Sequence, residues 1–184
     1  FFQALHNRAI LRQMLQRHDE ALADLDGVLQ SAPGFTQAHI TRGNVLLELM
    51  RHSEAVAAYD HALALQPANA DCLASKANAL IGLLNAKTDG PLLNVALLGE
   101  IEKTLVKAIA SNPCFFEARK SRANVLLTLK RFEEALVEID AALALAPNEP
   151  DAHFFRGNIL RELKRFSEAI SAYDHALSLH PSHA

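Results

Sequence analysis

The chain has 184 residues, half of them apolar and 21% charged, with 18 Lys and Arg against 21 Asp and Glu and a net charge of −3. That balance is too apolar for a disordered chain and too even to supply the basic field on which nucleic-acid binding depends. No apolar run approaches the 18 or so residues of a membrane span. Cys72 and Cys114 form neither a CxxC pair nor a disulfide framework; they read as reduced structural thiols in a reducing compartment, so a cytoplasmic location is expected. The sequence starts at Phe1 rather than Met, as a processed or partial chain does, and any targeting segment lies outside it.

Five prolines, Pro33, Pro67, Pro113, Pro147 and Pro181, follow one another at intervals of 34, 46, 34 and 34 residues. A fixed period of this size marks a repeat array. The register divides a single array, 1–184, into repeats 2–35, 36–69, 70–115, 116–149 and 150–183. Each repeat reads as two helices of roughly 12–15 residues with short loops and negligible strand.

In chain order, the first repeat places Ala9 in its first helix and Ala21, Leu25 and Val28 in its second. Pro33 ends that helix, because proline cannot continue the hydrogen-bond ladder and restricts the residue before it. The second repeat carries Gly43, then Ala55, Tyr59 and Ala62 at the same distances from Pro67. Its second helix opens on Ser53-Glu-Ala, a capping-type serine before an acidic first turn.

The third repeat is 12 residues longer than the others. Its first helix is expected from about Asp71 to Leu84, before the breaker-rich stretch Asn85-Ala-Lys-Thr-Asp-Gly-Pro. Its second helix is expected to begin near Pro91 and to run about one or two turns longer than its counterparts, carrying Leu92, Leu93, Val95, Leu97, Leu98, Ile101, Leu105 and Ile109. Two readings of the insertion, residues 86–98, stand side by side. One is a tolerated surface insertion; the other is a docking or dimer element, because the leucines exceed what one helix face needs.

The fourth repeat places Ala123, Ala135, Ile139 and Ala142 ahead of Pro147. The fifth nearly copies the second: Arg156-Gly-Asn-Ile-Leu-Arg-Glu-Leu answers Arg42-Gly-Asn-Val-Leu-Leu-Glu-Leu, and Ala172-Tyr-Asp-His-Ala-Leu answers Ala58-Tyr-Asp-His-Ala-Leu. Ser167-Glu-Ala opens its second helix.

This pattern resembles the tetratricopeptide repeat, a pair of antiparallel helices of 34 residues. The family's small eighth residue is matched by Ala9, Gly43, Ala77, Ala123 and Gly157. Its small twentieth residue is matched by Ala21, Ala55, Ala135 and Ala169, with Ile101 as a departure. The family's early tryptophan is replaced by Leu5, His39, Leu73, Arg119 and His153. The Arg-Gly-Asn segments are similar to arrays attached to bacterial O-linked N-acetylglucosamine transferase-like proteins. The resemblance implies an all-α fold, a right-handed superhelical solenoid of five helix-turn-helix repeats, in which stacking completes the core that one repeat cannot build alone. It also implies a non-catalytic scaffold that binds a peptide or protein segment in a concave groove lined by the first helices. Two alternatives stand beside it: the substrate-recruiting arm of a larger glycosyltransferase, and a self-assembly module acting through the terminal repeats or the insertion helix.

Within each repeat the seventh position is basic: Arg8, Arg42, Lys76, Arg122 and Arg156. The twenty-fifth is aspartate in four: Asp26, Asp60, Asp140 and Asp174, with Val106 in the third repeat, where the base is lysine rather than arginine. This association predicts an ion pair inside each repeat, the planar guanidinium meeting the carboxylate. The other reading is a basic row facing solvent or a ligand. Asparagine holds the ninth position in Asn44, Asn78, Asn124 and Asn158, with Ile10 in the first repeat. In the resembled family this position looks into the groove, where an amide can both donate to and accept from a partner backbone. Equally, it can bond a neighbouring helix and set the repeat spacing.

Further groove positions implied by the resemblance are His6, Ile40, Ala74, Lys120 and Phe154 at the fifth, and Gln13, Leu47, Ile81, Leu127 and Arg161 at the twelfth. Their changing chemistry suits an extended peptide. The family's carboxylate clamp is not expected: Lys120 and Asn124 match its first repeat, but Phe155 stands where the next repeat needs asparagine. The nine histidines form no ligand set such as HExxH, with His61 and His175 expected on an outer helix face and His180 and His183 a tail pair. No catalytic motif, cofactor or metal is expected.

Overall fold

In a computed structural model, which describes residues 1–86 and 91–179 with the side chains of 91–93 excepted, the chain is all helix. The elements are α1 (Phe2–Met14), α2 (His18–Ser31), α3 (Thr36–Glu48), α4 (His52–Leu65), α5 (Ala70–Ala86), α6 (Pro91–Ser111), α7 (Phe116–Thr128), α8 (Phe132–Leu145), α9 (Pro150–Glu162) and α10 (Phe166–Leu179). No strand occurs among the described residues. None of the described helices is long and apolar enough to cross a membrane.

Two compact units form, residues 1–100 and 101–184. In the first, α1 packs on α2, α3 on α4, and α2 and α4 each on the helix that follows. The expected small residues Ala9, Ala21, Ala55 and Ala77 are fully buried there, and Leu25, Leu46, Tyr59 and Leu80 fill the spaces between helices. The second unit repeats the scheme with Ala123, Ala135, Leu126, Ile139 and Ile159. Small residues at the crossings let the helix axes approach, and the larger side chains then interdigitate at crystal-like density.

The larger choice at the twenty-fourth position sets the smaller one at the eighth. A Cβ added to Gly43 would stand 2.5 Å from Cε1 of Tyr59, and one added to Gly157 the same distance from Cε1 of Tyr173. Where the partner is Leu25 or Ile139, the eighth residue is Ala9 or Ala123.

The turn inside the regular repeats is a Schellman motif with a non-glycine residue in the left-handed region. Gln16, Met50, Lys130 and Lys164 take φ of 58–59°. The next amide reaches back five residues, as in Arg51 N–H to the Leu46 carbonyl at 2.9 Å. This geometry displaces the expected serine caps. α4 starts at His52 with Arg51 as its cap residue and no side-chain cap bond, so Ser53 lies inside the first turn, as Ser167 does in α10. Arg17, Arg51, Arg131 and Arg165 instead reach forward three residues to Glu20, Glu54, Glu134 and Glu168. Those four arginines hold the glutamates below the ordinary carboxylate range, at helix N-termini where negative charge is favoured.

The insertion is absorbed by helix on both sides. α5 has 17 residues and α6 has 21, against 13 and 14 in the other repeats. α5 therefore runs past Leu84 to Ala86, while the breaker stretch 87–90 and the side chains of Leu92 and Leu93 lie outside the described residues. His180 and His183 lie outside them too. Of the two free cysteines, Cys72 is buried and Cys114 exposed. Burial pushes the Cys72 thiol up to about 11, so it stays protonated and inert. Cys114, expected as a packed thiol, sits in the open interrepeat loop instead.

Where the family's tryptophan is missing, an N–H donor remains in three repeats. His39 Nε2 donates to the Pro33 carbonyl at 2.9 Å, His153 Nε2 to Pro147 at 2.8 Å, and Arg119 Nε to Pro113 at 3.0 Å. Each closes an interrepeat turn whose carbonyl has no backbone partner of its own.

Candidate functional site

Three of the five basic residues at the seventh position meet aspartates across repeats rather than within them. Arg42 Nε donates to Asp26 Oδ1 at 3.1 Å and Arg156 Nε to Asp140 Oδ1 at 2.7 Å, while Lys76 Nζ lies 2.8 Å from Asp60. In each case the aspartate belongs to the preceding repeat. The within-repeat pairing predicted from sequence is thus corrected. Helix geometry explains the change: the twenty-fifth residue lies on the face of the second helix that packs against the next first helix.

Two bases lack such an acid, Arg8 because no repeat precedes it in this sequence and Arg122 because Val106 stands in the acid's place. Both turn to a carboxylate at the twenty-third position of their own repeat. Arg8 grips Asp24 bidentately, at 2.8 and 2.6 Å, and Arg122 bonds Glu138. The sequence held this signal, since the corresponding residue is Ala58 or Ala172 where the preceding acid exists. Asp24 is buried, and its carboxyl is held below the ordinary range, first by the Arg8 hydrogen bond and with help from Arg12. Asp174 makes no ion pair among the described residues. All five bases of the row are thus paired with carboxylates.

The four asparagines divide into two kinds. Asn44 Oδ1 accepts the Tyr59 hydroxyl at 2.7 Å and Asn158 Oδ1 accepts Tyr173 at 2.9 Å. Each bond ties the first helix to the second of the same repeat, not to the neighbouring first helix. Asn78 and Asn124 are exposed and make no side-chain hydrogen bond among the described residues. Of the fifth-position residues, His6 leaves the face altogether. It is buried, and its Nε2 lies 2.9 Å from Thr41 Oγ1. Because that hydroxyl already donates to the Gln37 carbonyl, His6 must be the donor, and burial holds its imidazole below the ordinary range. Gln13 is likewise tied, to Glu48 at 2.7 Å.

In the first unit, α3 and α5 thus present Ile40, Asn44 and Leu47 beside Ala74, Asn78 and Ile81 at helical spacing, an apolar face with an amide at its middle. The second unit differs. Lys120 Nζ lies 2.9 Å from Glu117 and 5.1 Å above the Phe116 ring, which fixes the ammonium against α7. Phe154 is 51% exposed, packs edge-on against Phe155 and lies tilted against Tyr173 with ring centroids 6.0 Å apart. A cleft of about 330 Å³ opens here, lined by Leu127, Thr128, Lys130, Phe132, Asn158, Arg161 and Glu162. Its wall is an apolar patch of Leu127 and Phe132 with two cations, one amide and one carboxylate around it. Sequence reasoning reached Leu127, Asn158 and Arg161. It missed Thr128, Lys130, Phe132 and Glu162, although Lys130 occupies the left-handed turn position that aims a side chain outward.

Among the described residues no group of three or more potential metal ligands occurs. His39 stacks on His61 with ring centroids 5.4 Å apart, and His153 meets His175 at 4.2 Å.

The sequence matches the family described as tetratricopeptide repeat over residues 6–70, 102–150 and 121–184. No curated protein matches it. Among solved structures, MamA residues 41 to the end from Desulfovibrio magneticus RS-1 superposes with a TM-score of 0.86 at 16% identity, covering 99% of this chain and 96% of that one. YrrB, described as a tetratricopeptide protein with an unusual peptide-binding site, gives 0.81 at 22% identity over 97% and 86%. A thermophilic tetratricopeptide protein of Thermus thermophilus gives 0.72 at 21% identity over 100% and 93%. At these identities the likeness is one of fold: an all-α tetratricopeptide solenoid.

Proposed function

The chain belongs to the tetratricopeptide repeat family, and we propose that it works as an interaction scaffold binding an extended segment of a partner protein along its first-helix faces, anchored in the cleft between α7, α8 and α9. The observation that carries this reading is the composition of that cleft. Leu127 and Phe132 offer apolar surface for one partner side chain, Arg161 and Lys130 attract a carboxylate beside it, and the Asn158 amide, fixed by Tyr173, keeps its N–H₂ group for a partner carbonyl. Asn124 on α7 adds a second exposed amide to the same face. In the first unit, taken by itself, Asn78 with Ile40, Leu47 and Ile81 suits apolar residues of a bound segment. No catalytic constellation enters this reading.

The test is capture of partners from the source lysate by the wild-type chain and by Asn124→Ala/Arg161→Ala. Both residues are exposed and neither supports the core, so circular dichroism is expected to show equal helicity. Loss of one specific partner by the folded variant supports the cleft as the anchor. Retention of every partner removes it.

A further inference from the structure

Two histidine pairs stand apart from the groove. In each, a first-helix imidazole is fixed by the bond that closes the interrepeat turn: His39 Nε2 donates to the Pro33 carbonyl and His153 Nε2 to the Pro147 carbonyl. A carbonyl only accepts, so the proton sits on Nε2 and the neutral ring keeps its lone pair on Nδ1. Metal-binding histidines are held in this way, one nitrogen donating to a carbonyl that fixes the ring and its tautomer while the other faces the ion. The second imidazole comes from the second helix of the same repeat, His61 on α4 and His175 on α10, both exposed. His61 stays exposed although α5 packs on α4, so a further repeat leaves this position open.

The two pairs differ in geometry. Two imidazoles on one ion, with metal–nitrogen bonds of about 2.0–2.1 Å, have centroids about 4.5 Å apart at a right angle and about 5.2 Å apart at the tetrahedral angle. His153 and His175 are 4.2 Å apart with their planes inclined at 52°, near the right-angled arrangement, and a small opening of the pair admits an ion. His39 and His61 are 5.4 Å apart at 27°, closer to parallel, so one ring must turn before both lone pairs meet at a point. Beside the first pair lies a cavity of about 200 Å³ lined by His153, Arg156, Ser171, Ala172 and His175, with room for an ion and its waters. Arg156, whose charge opposes a cation, is held by Asp140 at 2.7 Å. The Ser171 hydroxyl is available to a metal-bound water, whereas Ala57 stands in its place in the second repeat.

We propose that His153 Nδ1 and a ring nitrogen of His175 hold a divalent transition-metal ion of the nickel and copper type, with water in the remaining positions. Imidazole suits these ions, and adjacent nitrogens at right angles match their square or octahedral coordination better than the tetrahedron of zinc. Mg²⁺, which takes oxygen ligands, is not accepted. No third protein ligand joins the pair among the described residues, so the ion exchanges with solvent rather than staying as a permanent structural metal. It joins α9 to α10 and stabilises the fold by binding the folded chain in preference to the unfolded one. The site shares no residue with the cleft, so it does not depend on the proposed function.

The test is calorimetric titration of the 184-residue chain with Ni²⁺, Zn²⁺ and Mg²⁺ from about 1 µM to 1 mM. The chain carries Cys114→Ser and His180→Asn/His183→Asn, which remove the exposed thiol and the tail pair as competing ligands. One Ni²⁺ is expected in the tightest step, with Zn²⁺ weaker and Mg²⁺ without effect, and Ni²⁺ is expected to raise the urea midpoint. His175→Ala is expected to weaken the tightest step by about tenfold or more and to cancel the rise in midpoint, whereas His61→Ala is expected to leave both unchanged. Both histidines are exposed, so circular dichroism is expected to report equal helicity. Absence of Ni²⁺ binding below 1 mM overturns the proposal, as does a folded His175→Ala chain that binds as tightly as its parent. Loss of the tightest step in His61→Ala overturns it too, since it moves the ion to the stacked pair.

Discussion

Replacing Val106 by aspartate tests the junction rule directly. In the two intact arginine junctions the Nε proton goes to the preceding aspartate, at 3.1 Å from Arg42 and 2.7 Å from Arg156. Arg122 has Val106 in that place, and its Nε is buried with no hydrogen-bond partner. A buried donor left unpaired costs about 1–3 kcal/mol. The Arg122 side chain is 20% exposed, which puts the recoverable part near the lower end. Val106 is itself 42% exposed, so its removal forfeits the burial of a little over half of its side chain, about 1 kcal/mol, and valine and aspartate have similar helix propensities. Lys103 and Lys107 share the surface hollow with Val106 and favour the incoming charge, whereas Glu102 there opposes it. The recovered hydrogen bond therefore about offsets the lost packing, and Val106→Asp is expected to exceed Val106→Ala by about 1 kcal/mol, about 2–4 °C in Tm, measured by urea and thermal unfolding. The new carboxyl would titrate lower in the folded chain than in the unfolded one. Its contribution is then present above pH of about 4 and lost as the pH falls through the folded value. Val106→Ala reports the lost packing alone. If Val106→Asp is no more stable than Val106→Ala at pH 7, the acid at this position does not reach Arg122 and the junction rule fails.

Gly43→Ala is expected to destabilise, although alanine is the better helix former by about 1 kcal/mol. The Tyr59 ring is fully buried and cannot retreat from a Cβ at 2.5 Å, so overpacking of about 1–3 kcal/mol and weakening of its bond to Asn44 outweigh the propensity gain. Gly43→Ala/Tyr59→Leu recreates the Ala9–Leu25 pairing and is expected to recover part of the loss in the same urea titration; a double variant no better than the single one would refute the steric account. His6 gives a pH signature. Its imidazole is held below its ordinary value by burial, so the unfolded chain binds the proton more readily. That part of the stability is present above about pH 6.5 and lost as the pH falls below it. His6→Leu is expected to flatten the dependence of the urea midpoint between pH 7 and 5, and an unchanged slope would show that the slope belongs to other groups.

Helix pairs and most of the small-residue crossings were legible in the sequence because one physical constraint acts on one position in repeat after repeat. At the eighth position the buried crossing holds Ala or Gly in every repeat, at the twentieth it holds Ala in all but the third, where the buried Ile101 stands, and an interrepeat turn tolerates proline. Pairings were less legible, because periodicity shows that Arg42 and Asp26 recur without showing which copy of one faces which copy of the other. The irregular repeats carried the missing information. Asp24 and Glu138 appear where the preceding acid is absent, and Gly43 and Gly157 appear where tyrosine follows. The cleft was half legible for a related reason. Leu127, Asn158 and Arg161 lie on the first-helix face at helical spacing, but Lys130 and Phe132 are placed by the left-handed turn and the start of α8, which no single-helix periodicity reports.

The divided roles of the asparagines follow from the same exchange between neighbours. A tyrosine at the twenty-fourth position brings a hydroxyl into the core, and a buried hydroxyl needs a partner. Asn44 and Asn158 supply it, and each keeps only its amide N–H₂ for a ligand. Repeats with Leu or Ile there place no such demand, which leaves Asn124 with both its donor and its acceptor available. On the proposed reading, a partner backbone running along the second unit would meet one amide held rigid by Tyr173 and one free to turn. The rigid one is pre-organised and loses little entropy on binding, while the free one can adapt to the strand that arrives. In the proposed binding mode this asymmetry would make the α9 side of the cleft the anchor and the α7 side the adjustable wall.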